Sequence, residues 1–158
     1  MSNLTPVIKS IQDIMRQDSG VDGDAQRISQ LTWLLFLKVF DALEEELELT
    51  RDHYQSPIPE AMRWRHWAAD PEGMTGEALL DFVDNQLFST LKSLSADPVR
   101  NPRGYVVRGV FEDAYNYMKS GHLLRQVVNK LNGIDFNRQA ERHQFNDLYE
   151  KILKDLQS

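Results

Sequence analysis

The chain has 158 residues and a mass of 18.3 kDa, 41% of it hydrophobic and 27% charged, with eight glycines, six prolines and no cysteine. That is the size of one ordinary domain with a single core, and the composition lies outside the disordered and collagen-like ranges. The missing cysteines exclude a disulfide framework, a thiolate nucleophile and any zinc site that needs sulfur, and they fit a reducing compartment. The N-terminal residues lack the basic start and apolar run of an export signal. The longest apolar stretch, residues 31–40, is about half of the roughly 20 residues a bilayer demands. A cytoplasmic chain without a membrane span is therefore expected. The net charge of -6 argues against a domain that wraps nucleic acid over its whole surface. The charge is unevenly spread: six acids face one base between residues 41 and 52, and six bases face two acids between 98 and 130.

Thr5 before Pro6 is a helix-start signal, and Val7, Ile8, Ile11, Ile14 and Met15 then recur at helical spacing. The polar, Gly-containing stretch 18–24 breaks that helix. A long second helix over 24–52 is apolar almost all round between 31 and 40, so other helices must bury its first half. Residues 53–74, with Pro57, Pro59, Pro71 and Gly73, read as a loop holding a short extended piece or one helical turn, pinned by two tryptophans. Thr75 can cap a third helix carrying Leu79, Leu80, Val83, Leu87, Leu91 and Leu94. Asn101-Pro102 starts a fourth, whose stripe is Val106, Val107, Val110, Phe111, Ala114, Tyr117 and Met118. Ser120 can cap a fifth with Leu123, Leu124, Val127, Val128 and Leu131, stopped by Asn132-Gly133 in a left-handed terminus. A sixth carries Phe145, Leu148, Tyr149, Ile152 and Leu156. No useful strand pattern appears. The expected fold is an all-α bundle of about six helices, with a long central helix and a Trp-containing loop after it.

Most catalytic chemistries fail on residue type. Asp18, Asp22, Gly23 and Asp24 imitate part of a calcium loop, but Gly20 and Ser29 stand where ligands are needed, so a turn and helix cap is the better reading. His53, His66, His122 and His143 are never three or four residues apart and read as surface histidines. No phosphate-binding glycine loop or nucleophile elbow is present. Glu44, Glu45 and Glu46 point to different sides of a helix, which favours a solvated helix end over a metal cluster. Arg63-Trp64-Arg65-His66-Trp67 interleaves bases with aromatics as stacking platforms do, yet two buried indole anchors explain it better. No catalytic, cofactor-binding or metal-ligating residue is assigned.

The segment LTWLLFLKVFDALEEE, following an acidic cap, resembles the first long helix of the modification (M) subunit of type I restriction-modification systems. EAMRWRHWA and ALLDFVDNQLFSTLKSL are similar to the next elements of that subunit's N-terminal helical domain. GIDFNRQAERHQFNDLYEKILKDL is similar to its stretch ending in an F-G-D-x-Y-E-type helix, with Asn146 in place of the usual Gly. The order of these segments carries the resemblance over nearly the whole chain.

The resemblance implies a larger enzyme that transfers a methyl group from S-adenosylmethionine to adenine in duplex DNA. Its partners are a specificity (S) subunit, a second M subunit and a restriction subunit that can join them. Residues 1–158 would be its single N-terminal helical domain. The family's catalytic domain, with a Gly-rich cofactor motif and an N-P-P-F motif for the flipped adenine, would follow. Neither motif occurs here, since Asn101-Pro102 continues into Arg103 and Gly104. The chain itself is expected to be inactive, contacting DNA, the partner subunits, or both. From the residues, the candidates for phosphate contact are Arg100, Arg103, Arg108, Lys119, Arg125 and Lys130, with ordinary helix surface as an equal alternative. The rival function is a stand-alone helical adaptor that binds another protein through an apolar groove and the acidic end of the second helix.

Overall fold

The computed structural model describes residues 4–136 and His143; the helix expected around Phe145 to Leu156 lies outside them. The described residues contain helices and no strand: α1 (Leu4–Arg16), α2 (Gly23–Thr50), a 3-10 turn (Glu60–Met62), α3 (Trp64–Trp67), α4 (Gly76–Phe82), α5 (Phe88–Lys92), α6 (Pro102–Glu112) and α7 (Gly121–Asn132). A π turn, Val83–Leu87, joins α4 and α5 into one rod. The all-helical architecture and its long second helix are as the hydrophobic spacing predicts.

The helix α1 begins at Leu4, so Thr5 and Pro6 fall inside its first turn rather than marking its boundary. Ile8, Ile11, Ile14 and Met15 form its buried face, which packs on α7. The 28 residues of α2 span about 42 Å. Trp33, on its buried side, meets Phe88 of α5 edge-on at 4.8 Å, and Phe111 of α6 closes the cluster 5.1 Å from Phe88. Such edge-to-face pairs add to plain area burial. The π turn brings both Phe82 and Phe88 of the rod inward: Phe82 meets Trp67, and Phe88 meets Trp33.

The tryptophan segment is one helical turn with both indoles buried. Trp64 Nε1 donates to Asn132 Oδ1 at 2.9 Å and Trp67 Nε1 to the Met62 carbonyl at 3.1 Å, so both are anchors. Thr75 does precede α4, but its hydroxyl makes no capping bond and lies 3.4 Å from His122 Nδ1. Ser120 caps α7 through Leu123 N, and Asn101 caps α6 through Gly104 N. The next residue, Gly121, touches backbone: a Cβ there would sit 1.8 Å from the Gly76 carbonyl oxygen.

Two further expectations are corrected. The fourth helix stops at Glu112, and residues 113–120 are not helical despite their helical spacing. Three of their backbone donors are taken by side chains distant in sequence. Gln30 Oε1 accepts from Tyr117 N at 2.8 Å, and the Asp18 carboxylate accepts from Lys119 N and Ser120 N. Asn116 turns inward to bond Gln30 and Asp84. Gly20 makes this approach possible, because a Cβ there would lie 2.1 Å from the Tyr117 oxygen. The second correction is at Gly133, whose φ of -74° is right-handed. Here α7 ends by tightening, with Gly133 N bonded to the Lys130 carbonyl and Ile134 N to that of Leu131, which carries Ile134 and Phe136 into the core.

Candidate functional site: a recess between α2 and α6

Six residues of α2, Thr32, Leu35, Phe36, Val39, Phe40 and Leu43, share one face, each having others three or four positions away, and Val110 of α6 stands beside them. They line a recess of about 360 Å³. The only polar lining side chain, Thr32, already donates its hydroxyl to the Ile28 carbonyl at 2.7 Å. Near its start, α6 meets Phe40 and Tyr54 through Arg103; near its end, Phe111 meets Trp33 and Phe36. It therefore runs antiparallel to α2.

A polar network lies against the Phe40 ring. The Arg103 guanidinium lies 4.4 Å from the Phe40 ring centre, and its Nε donates to the Tyr54 hydroxyl at 3.0 Å. Tyr54 donates in turn to one oxygen of Glu44, and Ser56 to the other. Burial, with the Glu44 charge adding to it, raises the Tyr54 pKa. Glu44 is 2% exposed, which corrects the expectation that residues 44–46 form a solvated helix end. The reason is that the loop after α2 folds back and brings two hydroxyls to that carboxylate. One nitrogen of Arg103, Nη2, is buried without a hydrogen-bond partner among the described residues.

A second clamp holds α3 to α2. Arg65 bonds Asp41 at 2.9 Å through Nε and Glu48 at 2.7 Å through Nη1. Burial alone would lower the Arg65 pKa; its bonds to Glu48 and Asp41 outweigh that and raise it. Burial also raises the pKa of Asp41, against the opposing pull of Arg65.

The six basic candidates do not form one group. Arg125 is 5% exposed and bonds the carbonyls of Trp67, Ala68, Asp70 and Met74. It is a structural pin, buried because the turn after α3 turns several carbonyls toward it, and this corrects its place among the phosphate contacts. Burial lowers its pKa. Arg103 is held against Phe40 and Tyr54. Arg108 donates to the Leu94 carbonyl at 3.0 Å and lies 3.6 Å from Glu112, facing a different neighbour from Arg103. Lys119 and Lys130 are exposed, and the Arg100 side chain is 92% exposed. Only these last three keep their charge in water. The four histidines are exposed, and no cluster of three metal-ligating side chains occurs among the described residues. Sequence reasoning treated the whole of residues 31–40 as buried core and so missed the recess; an apolar helix reads alike whether its last face is covered or open.

The described residues form an all-helical domain with an apolar recess and scattered surface cations. The chain belongs to the HsdM N-terminal domain family, whose pattern matches residues 4–131. It is 65% identical over 156 residues, or 99% of its length, to the type I restriction enzyme EcoEI methylase subunit of Escherichia coli, of which it spans 32%. Its fold is similar to the modification subunit of a putative type I restriction enzyme from Vibrio vulnificus YJ016, with a TM-score of 0.85 and 39% identity over 96% of this chain and 34% of that one. A chain from a structure of a type I R-M system, determined for complex assembly and conformational transition, aligns with a TM-score of 0.82 and 33% identity over 96% and 30% of the two chains. The chain thus spans about a third of the relatives it matches.

Proposed function

We propose that residues 1–158 are the single N-terminal domain of an adenine-specific DNA methyltransferase subunit, and that this domain contacts DNA and partner subunits while the chemistry resides in a domain that follows. The observation that carries this reading is the 65% identity across nearly all of this chain to a third of a type I methylase subunit. The parent enzyme would move a methyl group from S-adenosylmethionine to adenine, working with a specificity subunit, a second M subunit and a restriction subunit in the cytoplasm. No described helix is long and apolar enough to cross a membrane.

The cofactor does not fit the recess. Its ammonium, carboxylate and ribose hydroxyls need polar partners, whereas the recess offers apolar walls and one hydroxyl that is already engaged. No step of methyl transfer is therefore assigned to this domain. Its surface suits contact instead: an apolar recess for protein, and Arg100, Lys119 and Lys130 for phosphate.

The test compares the complete protein, assembled with its specificity subunit, with the 158-residue chain. The assembly is expected to transfer labelled methyl groups to adenine in duplex DNA, and the chain to show no saturable micromolar site for S-adenosylmethionine by calorimetry. A saturable site on the chain, or an assembly without methyl transfer, overturns the reading.

A further inference from the structure

We infer that Asn132 is a site of spontaneous deamidation, held in check by its bonds to α3, so that its modification records the opening of the α3–α7 contact. Asn132-Gly133 is the one Asn-Gly pair in the chain, and Gly133 is exposed to water. Asn before Gly is the pairing most prone to this reaction, because no Cβ on the second residue hinders its backbone nitrogen. The Gly133 nitrogen would form a bond to Asn132 Cγ and give up its proton. The bond from Cγ to Nδ2 breaks, and ammonia leaves with that proton. Water then adds to either carbonyl of the cyclic imide, giving aspartate or, mainly, isoaspartate, in which the main chain runs through the side-chain carbons. Water is the only co-reactant.

In the closed fold every reacting group is engaged. Asn132 Oδ1 accepts from Trp64 Nε1 at 2.9 Å, and Nδ2 donates to the Ala68 carbonyl at 2.8 Å, so the carboxamide is fixed at both ends against the α3 segment. The nucleophile, Gly133 N, donates to the Lys130 carbonyl at 3.1 Å, with φ -74° and ψ -9° holding it in the last turn of α7. A carboxamide turned toward α3 and a nitrogen turned back along α7 cannot meet. Reaction therefore waits until the Trp64 turn lifts from α7 and frees the side chain. That turn is only four residues long, Trp64–Trp67, and a short element of this kind opens locally at less cost than the whole domain unfolds.

The product fits the closed fold poorly. A carboxylate at position 132 has no donor for the Ala68 carbonyl and sets a negative oxygen against it. It also adds a charge to a cleft already lined by Asp41, Glu45 and Asp135 beside Lys38 and Arg65. Isoaspartate lengthens the main chain by a carbon just before Ile134 and Phe136, which are 1% and 2% exposed and have no room to shift. An opening that is reversible in the unmodified chain thus leaves a lasting mark, and the marked chain closes less well.

The experiment incubates the complete protein in mildly alkaline buffer and follows Asn132 by peptide mass mapping, with aspartate and isoaspartate separated by chromatography. In the folded protein Asn132 is expected to react roughly tenfold or more slowly than in the same protein unfolded in guanidinium chloride. Trp64→Phe removes the indole donor and keeps an aromatic ring in place, and it should raise the folded-state rate roughly fivefold. If that variant does not fold, the wild type gives the same reading, because its rate should climb with denaturant below the unfolding transition as the contact opens. Gly133→Ala should slow the reaction in the unfolded protein, as passage through the imide requires. A folded rate equal to the unfolded one overturns the inference. So does a folded rate that neither Trp64→Phe nor denaturant below the transition moves, and so does an unfolded protein in which Asn132 yields no product or reacts as fast with Ala at position 133.

Discussion

Arg125 shows how a cation can serve as a structural pin with no acid bonded to it. Its guanidinium bonds four backbone carbonyls that span α3's end and the loop to α4, and a planar fork can do this where an ammonium cannot. Arg125→Lys is expected to cost about 2 to 3 kcal/mol and Arg125→Ala more, because buried carbonyls lose their donors; urea melts measure both. Asp41 carries the opposite problem, a carboxylate that burial disfavours although Arg65 pairs with it. Its folded pKa lies above the unfolded value of 3.8, so the folded state binds the proton more readily. Protonation then favours folding, and Asp41's contribution falls as pH rises from 3.8 through the raised value. Asp41→Asn removes this dependence. The stability of the wild type relative to the variant should therefore increase as pH is lowered toward 4, and urea melts across that range would show a constant difference if Asp41 were not responsible.

Among the elements, α2 organises the rest, and its faces differ in cover. Leu34 is fully buried, whereas Leu35 is 3% exposed and lines the recess. Truncation at Leu34 leaves a closed cavity, while truncation at Leu35 enlarges one already open to water. Leu34→Ala should cost about 3 to 5 kcal/mol and Leu35→Ala about 2 to 3. Equal losses in denaturant melts would mean that the two faces are equally covered. The π turn between α4 and α5 also belongs to this scale. Asp84, within it, accepts from Asn116 at 2.9 Å and ties the rod to the non-helical strap 113–120.

For the molecule as a whole, a charge of -6 repels a polyanion at long range, and the exposed cations can attract it only at short range. At physiological salt the Debye length is about 8 Å, so acids on remote faces are largely screened in the DNA-bound assembly proposed above. The isolated chain should bind duplex DNA weakly. In the assembled enzyme, neutralising Arg100, Lys119 and Lys130 together should weaken binding to all sequences alike and lower the salt slope by about one for each lost contact. Arg108→Gln should leave the slope unchanged, because its guanidinium is engaged with Leu94 and Glu112. A slope unmoved by the triple substitution would remove these cations from the DNA.

The spacing of apolar residues was sufficient to place α1, α2, the α4–α5 rod and α7, because each buries one stripe and that stripe is written locally in the chain. The caps at Asn101 and Ser120 were legible for the same reason: both partners lie within three residues. What reached across the chain was not legible. The stripe through Ala114, Tyr117 and Met118 is helical by spacing, yet Gln30 and Asp18, about 90 to 100 residues away, take the backbone donors and keep it extended. The arginines between 98 and 130 look alike in sequence, and only packing separates Arg125 under four carbonyls and Arg103 over Phe40 from Arg100 in water. Local pattern fixes which residues must leave water; tertiary structure decides which of them find cover, and that difference makes one face of α2 a recess.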